Sequence, residues 1–514
     1  MRASGSPMAA GEEMMSNRVG SIYRAARGLT LIALVATMAG LQACTVNPAT
    51  GQRSFTAFMS PDQERRVGRQ QDPMIREQLG GRYDDEPLHD YVDRVGQALA
   101  ANAELPDIKF TFTVLNAPDV NAFALPGGFI YVTRGLIALA DSEAQLAGVL
   151  AHEIGHVTAR HAAQRYSLAS VAQLGGMLLR ATDVKGVGEA FDLGGQIFLS
   201  SYSRDQEFEA DTLGIRYLSR AGYDPTGVPQ FLAKLREHAI LASEQAGNGQ
   251  DPDQFQLLGT HPRTIDRVDR AMKAALVTPD QGGRVGTEAF LRRVNGLLYG
   301  PDPAKGEIRG QTFIQHVAGY RFSAPDGYRM QAANGWVLIQ GPDNVQASVE
   351  EAPTTPGVTP ERYLTGVWAP RTRLSGLERL NINGLDAATA ALNARTARGP
   401  VELRLVAVRL SPKKMLRFKI LMPARAVGRA SVAMRRLTYS LETIPIVVPD
   451  RLPAARIAIH RVQPGETVAA LSRSPNRSSK SHSQAERAFR VLNGLAASEE
   501  PSTGTLVKLI ETPG

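Results

Sequence analysis

The sequence predicts an α+β fold, with a mainly helical region that carries a small β-sheet, then a small α/β domain and a closing βααβ module. Three observations predict this order. Apolar residues recur at helical spacing over most of 142–275. A linker-like stretch follows at 278–286, strand patterns take over after residue 310, and a separate short unit closes the chain at 455–512. With 514 residues, 43% of them apolar, the chain is long enough for roughly two to four domains with buried cores.

The charge of the chain is moderately basic. Charged residues make up 21% of the sequence and the formal net charge is +8, which is the composition of a globular protein and not of a disordered one. The basic residues are spread along the chain and form no stripe with interleaved aromatic residues, so we expect no nucleic-acid partner. The basic excess is compatible with an anionic membrane surface.

The first 43 residues have the pattern of a secretory signal peptide. Arginines precede an apolar run at 29–41, which is shorter than the ~20 residues that a membrane-spanning helix needs. Cys44 is the one cysteine of the chain, which excludes an intrachain disulfide and a cysteine-based metal cluster. The sequence Leu-Gln-Ala-Cys resembles a bacterial lipobox, which implies that Cys44 is lipidated and becomes the mature N-terminus. We therefore expect a periplasmic protein anchored by lipid to the outer membrane; an uncleaved N-terminal anchor is the alternative.

The elements ahead of the long helical stretch are two helices and three strands. Amphipathic spacing predicts helices at 63–79 and 87–100, and alternation predicts a strand at 109–115. The stretch NAFALPGGFIYVT predicts two further strands joined by a Pro-Gly-Gly turn, with Thr133 as the N-cap of the next helix.

Two histidines in LAGVLAHEIGHVTARH are the first candidates for chemistry. A capping pattern at Ser142 predicts a helix here, and His152 and His156 at i and i+4 project from one face of it. Both imidazoles can reach a single Zn²⁺ at about 2.0–2.1 Å. Glu153 is offset by about 100° round the helix, so it points beside the metal and can move a proton from the attacking water to the leaving amine. This is the arrangement of an H-E-x-x-H motif; a core helix with incidental histidines is the alternative.

A third ligand decides between these alternatives. His161 would fall on the opposite face of a continuous helix, so we reject it. YSRDQEFEADTLGIRYLSRAG predicts a second helix with Glu207 and Asp211 on one face. Glu207 would complete a His₂Glu site that leaves the fourth position to water, and Asp211 can accept the other ring N–H of a ligand histidine. A solvated acidic face is the alternative, and Glu209 in the same stretch is interpreted as such a bystander.

These motifs resemble a family of zinc metallopeptidases that includes the CAAX prenyl-protein protease, HtpX and the periplasmic protease BepA. HEIGH, SRDQEFEAD and NAFALPGGFIYVTRGLI carry the resemblance, which covers roughly 60–275. It implies that Glu207 is the third zinc ligand and that Asp211 supports the site. It also implies that an edge strand pairs with an extended peptide substrate, which suggests Asn121, Ala122 and Phe123 as substrate-facing positions.

The segment LLGTHPRTIDRV raises a question of regulation at His261. BepA-like members carry a similar Thr-His-Pro segment, whose histidine can approach the zinc. In the fourth coordination position, His261 would displace the hydrolytic water and make the enzyme latent. Slightly away from that position, it would stabilise the oxyanion of the tetrahedral intermediate. A plain helix-start histidine before Pro262 is the third alternative.

The patterns divide the chain into four segments. They are a lipoprotein signal peptide at 1–43, a zinc metallopeptidase domain at 44–280, an α/β domain of unassigned role at 305–445 and a LysM-like domain at 455–512. The last is named for IHRVQPGETVAALSR, VLNGL and GTLVKLI, which resemble a LysM module and imply peptidoglycan as its ligand. A small packing domain without a ligand is the alternative.

The expected function is that of a zinc-dependent endopeptidase in the bacterial cell envelope. It would hold one Zn²⁺ per chain and cleave misfolded or misassembled periplasmic and outer-membrane proteins as quality control. Its other expected partners are the membrane, through the lipid anchor, and peptidoglycan. The competing hypothesis is a cell-wall-anchored, chaperone-like binding lipoprotein with little or no proteolysis. Glu153 argues against it, because a site that only holds zinc needs no base.

Overall fold

The computed structural model describes residues 44–47, 49–105, 107–179, 201–246, 261, 265–278, 282–333, 335–396, 399–449, 452–473 and 482–512. The predicted signal peptide at 1–43 lies outside these residues. None of the described helices combines the length and the apolar composition that crossing a membrane requires.

The helices and strands follow one another along the whole described chain. The helices are α1 (Pro61–Gln78), α2 (Glu86–Ala100), α3 (Arg134–Leu139), α4 (Glu143–Thr158), α5 (His161–Leu179), α6 (Arg204–Arg220), α7 (Gly227–Ala246), α8 (Ile265–Leu276), α9 (Thr287–Val294), α10 (Pro360–Tyr363), α11 (Val427–Tyr439), α12 (Val468–Leu471) and α13 (His482–Leu492). The strands are β1 (Cys44–Val46), β2 (Arg53–Phe55), β3 (Thr111–Leu115), β4 (Ala122–Leu125), β5 (Phe129–Thr133), β6 (Glu307–Arg309), β7 (Thr312–Gln315), β8 (Tyr320–Ser323), β9 (Arg329–Ala333), β10 (Trp336–Gln340), β11 (Gln346–Pro353), β12 (Ser375–Ile382), β13 (Leu385–Thr396), β14 (Gly399–Ser411), β15 (Lys414–Pro423), β16 (Glu442–Thr443), β17 (Arg456–Arg461) and β18 (Leu506–Glu511).

Helix α4 runs through the centre of the first unit. It begins as predicted, because Ser142 Oγ accepts a hydrogen bond from the Gln145 amide. Every residue of α4 except Val149 is buried. A helix that is covered on all sides in this way is a core element, and α4 packs against α2, α6 and α7.

The predicted small sheet is present and has the order β3-β5-β4. Strand β3 is parallel to β5, and β4 is antiparallel to β5 through the Pro-Gly-Gly turn. Gly127 and Gly128 have φ of +84° and +93°, a left-handed conformation that favours glycine. Thr133 ends β5 and caps α3, as the sequence predicted. Since β4 pairs only with β5 among the described strands, it lies at the edge of the sheet.

The second unit consists mainly of antiparallel strands. One sheet has the order β12-β13-β14-β15-β11-β10-β9 and the other the order β16-β8-β7-β6. The predicted hairpin around Ser411 is formed by β14 and β15. Every described strand pair here is antiparallel, so the unit is an α+β arrangement and not the parallel layout that an α/β label implies.

The last unit has the predicted order of elements, with β17 paired to β18 and two short helices between them. It is not separate from the first unit, however. Ile457, Val491 and Leu492 belong to the same buried cluster as the apolar side chains of α4. Helix α9 also packs into that cluster through Phe290. The LysM-like assignment stays a prediction.

Candidate metal centre

Helices α4 and α6 and the segment at residue 261 bring four side chains together. His152, His156, Glu207 and His261 are all buried, and one ligand atom of each lies within 4.8 Å of the others. His152 and His156 come from α4 and Glu207 from α6, as the sequence predicted. His261 joins them from a distant part of the chain.

The spacing of the four ligand atoms fits a single tetrahedral metal ion. The two Nε2 atoms of His152 and His156 are 3.0 Å apart. His261 Nδ1 is 3.3 Å from His152 Nε2 and 2.9 Å from Glu207 Oε1. Ligands at about 2.0–2.1 Å from a tetrahedral zinc lie roughly 3.3–3.4 Å from one another. Three imidazoles and one carboxylate are also a donor set that suits Zn²⁺.

The helices can approach this closely because each has a glycine at the crossing. A Cβ on Gly214 of α6 would lie 3.0 Å from the amide nitrogen of His152. A Cβ on Gly155 of α4 would lie 3.0 Å from the Ala210 carbonyl oxygen. Larger side chains at these positions would separate α4 from α6, and with them the histidines from Glu207.

Each histidine of α4 presents Nε2 to the cluster and has its other ring nitrogen engaged. His152 Nδ1 is 2.9 Å from Asp211 Oδ1, the contact that the sequence predicted for Asp211. His156 Nδ1 is 2.8 Å from His161 Nδ1. The ring of Tyr202 stacks on His156, with 3.8 Å between ring centroids. Burial lowers the pKa of His156 well below its ordinary value, and the neighbouring histidines add to this shift, so its ring is held in the neutral form that binds metals.

Arg267 of α8 balances the acidic side chains, and the sequence did not single it out. Its Nε and Nη2 atoms donate to the two oxygens of Asp211 at 2.9 and 2.8 Å, and Nη1 lies 2.5 Å from Glu207 Oε2. Burial opposes ionisation of Asp211, but Arg267 and His152 outweigh it and hold the pKa of that carboxyl below its ordinary value. The pKa of Glu207 is likewise lowered, against burial, by His261 and Arg267.

Glu153 is buried beside the cluster and does not belong to it. Its Oε1 atom is 3.4 Å from His261 Nε2. Glu153 Oε2 and His261 Nε2 find no hydrogen-bond partner among the described residues, and such buried unsatisfied atoms point to water or substrate in the same space. Burial raises the pKa of the Glu153 carboxyl, although the His261 ring opposes this shift. A raised pKa suits a general base near neutral pH.

The structure corrects the sequence interpretation of His161 and Glu209. His161 is buried and contacts His156, whereas a continuous helix would place it on the opposite face. The helix is not continuous: Arg160 has φ of +56°, and a new helix begins at His161. Glu209 is not a solvated bystander, because its Oε2 atom is 3.2 Å from His161 Nε2.

The three positions suggested as substrate-facing lie at or next to strand β4. Asn121 precedes the edge strand β4, and Ala122 of β4 helps to line a pocket next to the cluster. The ring of Phe123 points into the core and stacks on Tyr131 at 4.8 Å, so only its backbone faces the free edge. Cys44 is the first residue of β1 and pairs with Phe55.

The pocket next to the cluster is mainly apolar. Glu153, His152 and His261 form one wall, and α7 supplies much of the rest through Val228, Phe231, Leu232 and Leu235. It is completed by Ala122, Leu136, Gly148, Val149, Asp211 and Arg267. A side chain bound here would lie directly beside Glu153 and His261, and an apolar side chain would be favoured.

Comparison with known proteins shows that part of the chain is similar to a family of peptidases. The family model described as Peptidase family M48 matches residues 87–275. A putative beta-barrel assembly-enhancing protease of Vibrio cholerae is 36% identical over 208 residues, which are 38% of this chain and 40% of that protein. The beta-barrel assembly-enhancing protease of Escherichia coli strain K12 is 32% identical over 43% of this chain and 46% of its own. The mitochondrial metalloendopeptidase OMA1 of Schizosaccharomyces pombe is 30% identical over 43% of this chain and 63% of its own.

These similarities cover part of each protein. The chain spans less than half the length of the two bacterial relatives. Among solved structures, cyanobacterial PsbP from Synechocystis sp. PCC 6803 aligns with 27% of this chain and 98% of its own at 14% identity, with a TM-score of 0.22, which is too low to establish a shared fold. The region at 87–275, which carries His152, Glu153, His156, Glu207 and His261, matches peptidase family M48.

Proposed function

We propose that this protein is a zinc-dependent endopeptidase of the bacterial cell envelope. The observation that carries the proposal is the meeting of His152, His156 and Glu207 around one point, with Glu153 buried beside them. The match of the same region to peptidase family M48 supports it. One Zn²⁺ per chain would be held by the two histidines and the glutamate, with the fourth position free for exchange.

In this proposal each side chain around the cluster has a separate role in peptide hydrolysis. Bound zinc supplies Lewis acidity, which polarises the scissile carbonyl and makes the attacking water more acidic. Glu153 takes a proton from that water and returns it to the leaving amine. Asp211 and Arg267 hold His152 and Glu207 in place through the contacts described above. The buried surroundings exclude bulk water and strengthen these electrostatic interactions.

The proposed substrates are misfolded or misassembled periplasmic and outer-membrane proteins. Strand β4 pairs with β5 alone among the described strands, and we propose that an extended peptide pairs with its other side, next to the cluster, although all four residues of β4 are buried. The apolar pocket beside Glu153 would take an apolar side chain, which unfolded proteins expose and folded ones bury. The names of the bacterial relatives, beta-barrel assembly-enhancing proteases, point to the same compartment. Lipid attachment at Cys44 and peptidoglycan binding by 455–512 complete the proposal.

We further propose that His261 keeps the resting enzyme latent. Its Nδ1 atom lies 2.9 Å from Glu207 Oε1 and 3.3 Å from His152 Nε2, where a fourth ligand would be. In that position it excludes the water that must attack the substrate. Cleavage then requires the His261 side chain to leave this position.

The first test is the digestion of casein, an unfolded protein, by zinc-loaded residues 45–514 beside Glu153→Gln. We expect slow cleavage by the parent, because His261 restrains it, and a further loss of at least about 10²-fold in the variant, because the isosteric amide cannot accept the proton. Zinc content measured on both proteins serves as the control and is expected to be equal. Equal cleavage by both would show that Glu153 is not the base. Zinc binding without any cleavage by the parent would favour latency or the binding-protein alternative.

His261→Ala separates those last two outcomes. If His261 blocks the fourth position, its removal raises the initial rate of casein cleavage. If His261 instead stabilises the oxyanion, the rate falls by about 10²–10³-fold. The absence of cleavage by both the parent and His261→Ala, with zinc bound to each, would contradict the proposed peptidase.

A further inference from the structure

The ring nitrogen of His156 that faces away from the cluster begins a chain of hydrogen bonds. His156 Nδ1 is 2.8 Å from His161 Nδ1, and His161 Nε2 is 3.2 Å from Glu209 Oε2. His156 and His161 are buried, and the Glu209 side chain is only 14% exposed. Three side chains from α4, α5 and α6 thus form one continuous path.

The hydrogen positions along this path are determined by its inner end. His156 Nε2 must keep a lone pair to bind a metal, so the proton of its neutral ring is on Nδ1. His156 therefore donates to His161, and His161 Nδ1 accepts. The proton of neutral His161 is then on Nε2, where it faces the Glu209 carboxylate. Each member fixes the tautomer and the orientation of the one before it.

The second oxygen of Glu209 connects this path to the N-terminal hairpin. Glu209 Oε1 accepts hydrogen bonds from Thr50 Oγ1 at 2.7 Å and from Asn47 Nδ2 at 3.1 Å. Both donors belong to the turn between β1 and β2, the hairpin that begins at Cys44. The two carboxylate oxygens are therefore divided, with one bound to the histidine path and the other to the hairpin.

The turn itself is held firmly in place. The amide of Gly51 donates to the Asn47 carbonyl, and the amide of Asn47 donates to the Gln52 carbonyl, both at 2.8 Å. The Asn47 side chain accepts from the Ala49 amide through Oδ1, which directs Nδ2 to Glu209. Arg216 of α6 donates to the Ala49 carbonyl oxygen at 2.9 Å, so the hairpin is fixed to α6 at two points.

We propose that His161, Glu209, Asn47 and Thr50 are positioning residues for His156, so that the hairpin next to Cys44 is the outer part of the zinc site. The inference rests on the proposed function, since it requires that His156 binds zinc. Its consequence is that loosening the hairpin weakens zinc binding without any change to a ligand. The end of the chain that would carry the lipid is thereby coupled to the metal site.

The inner half of the path is tested by replacing His161 in two ways and measuring the zinc Kd by competition with a chelator. Leucine fills the space but cannot accept the proton of His156, and we expect His161→Leu to weaken zinc binding by about 10–100-fold. Asparagine presents an amide oxygen where His161 presents Nδ1, so His161→Asn is expected to restore most of the affinity. The spectrum of the Co²⁺-substituted protein should change in the leucine variant alone. A purely structural role would affect both variants alike and would contradict the proposal.

The outer half is tested by Glu209→Gln and by Thr50→Val combined with Asn47→Ala. We expect weaker zinc binding in both proteins, and thermal unfolding of their metal-free forms measures separately the stability lost with the hydrogen bonds. Thr212→Val is the matched control, because Thr212 is exposed on α6 and bonds only to the Phe208 carbonyl of its own helix in the described contacts. These variants also decide the question if His161→Leu fails to fold.

The outcomes separate this inference from the proposed function. A parent protein that binds no zinc overturns the proposed function, and the positioning role with it. A parent that binds zinc tightly, with every variant within about twofold of its Kd, overturns the positioning role alone. Weaker binding by the His161 and Glu209 variants but not by the hairpin variant would remove Asn47 and Thr50 from the proposal.

Discussion

The guanidinium group of Arg267 balances much of the negative charge at the candidate site. Glu207 and Asp211 are both buried, and Arg267 contacts both of them. Buried carboxylates are costly unless they are paired, so without a metal ion the folded state depends on Arg267. In the proposed function, bound zinc would bring positive charge to the same place, so Arg267 and the metal would stabilise the same two side chains.

We therefore expect Arg267→Met to destabilise the metal-free protein by about 3–5 kcal/mol, the range for removing one partner of a buried ion pair. With zinc bound the loss should be smaller, because the ion replaces part of the missing charge. Chemical denaturation with and without zinc measures both values. Lys273→Met, an exposed position on the same helix, is the control. An equal loss in both states would show that Arg267 acts through packing and not through charge.

At the scale of elements, the crossing of α4 and α6 determines whether the ligands can meet. The amide of His152 lies within 3.0 Å of where a Cβ on Gly214 would be. Protein interiors are close-packed and accommodate an added methyl group only by moving their neighbours. Here the neighbour that must move is the backbone of His152, a proposed metal ligand.

Gly214→Ala is therefore expected to cost about 1–3 kcal/mol of stability and to weaken zinc binding, because the helices that carry His152 and Glu207 are pushed apart. Thermal unfolding and the zinc Kd test the two effects. Gly428→Ala is the matched control: Gly428 is also helical, a Cβ there would meet nothing within 4 Å, and the change should be neutral or stabilise by up to ~1 kcal/mol. Unchanged zinc affinity in Gly214→Ala would show that the crossing has room to spare.

At the scale of the whole molecule, a buried group of charges joins the last strand to the peptidase-like region. Lys508 of β18 donates to the carbonyl oxygens of Ala138, Leu139 and Ala140 at 2.9, 3.0 and 2.7 Å and lies 3.0 Å from Asp141. Lys234 of α7 also contacts Asp141. It donates to the Leu492 carbonyl at 2.9 Å, at the end of α13. Two ammonium groups thus share one carboxylate.

Burial lowers the pKa of Lys234 to about 7, although Asp141 opposes this shift. In the unfolded chain a lysine titrates near ~10.4, so between these two values the unfolded state binds more protons than the folded state. Below pH 7 the folded state therefore bears the full free-energy cost of burying the charged Lys234. This destabilisation decreases as the pH rises toward 10. We expect the unfolding free energy of the parent to rise over this range relative to that of Lys234→Met. A constant difference between the two proteins from pH 6 to 9 would contradict the shifted pKa.

Much of the local structure could be predicted from the sequence. Helices predicted at 63–79 and 87–100 appear as Pro61–Gln78 and Glu86–Ala100, and the strand predicted at 109–115 appears as Thr111–Leu115. Caps at Thr133 and Ser142 are confirmed. These features depend on hydrophobic periodicity and on hydrogen bonds between residues close together in the chain. Both can be predicted from residue types and their spacing.

By itself the sequence determined which side chains can meet at the candidate site, because His152, Glu153 and His156 share one helix and Glu207 and Asp211 share another at fixed spacing. The tertiary structure alone decided what surrounds them. A left-handed Arg160 turns His161 back onto His156, and Glu209 links that ring to the N-terminal hairpin. Long-range packing likewise brings Arg267 into contact with Glu207 and Asp211, and Lys508 into contact with the carbonyl groups at the end of α3. Such contacts join residues far apart in the chain, and no local pattern encodes the distance between them.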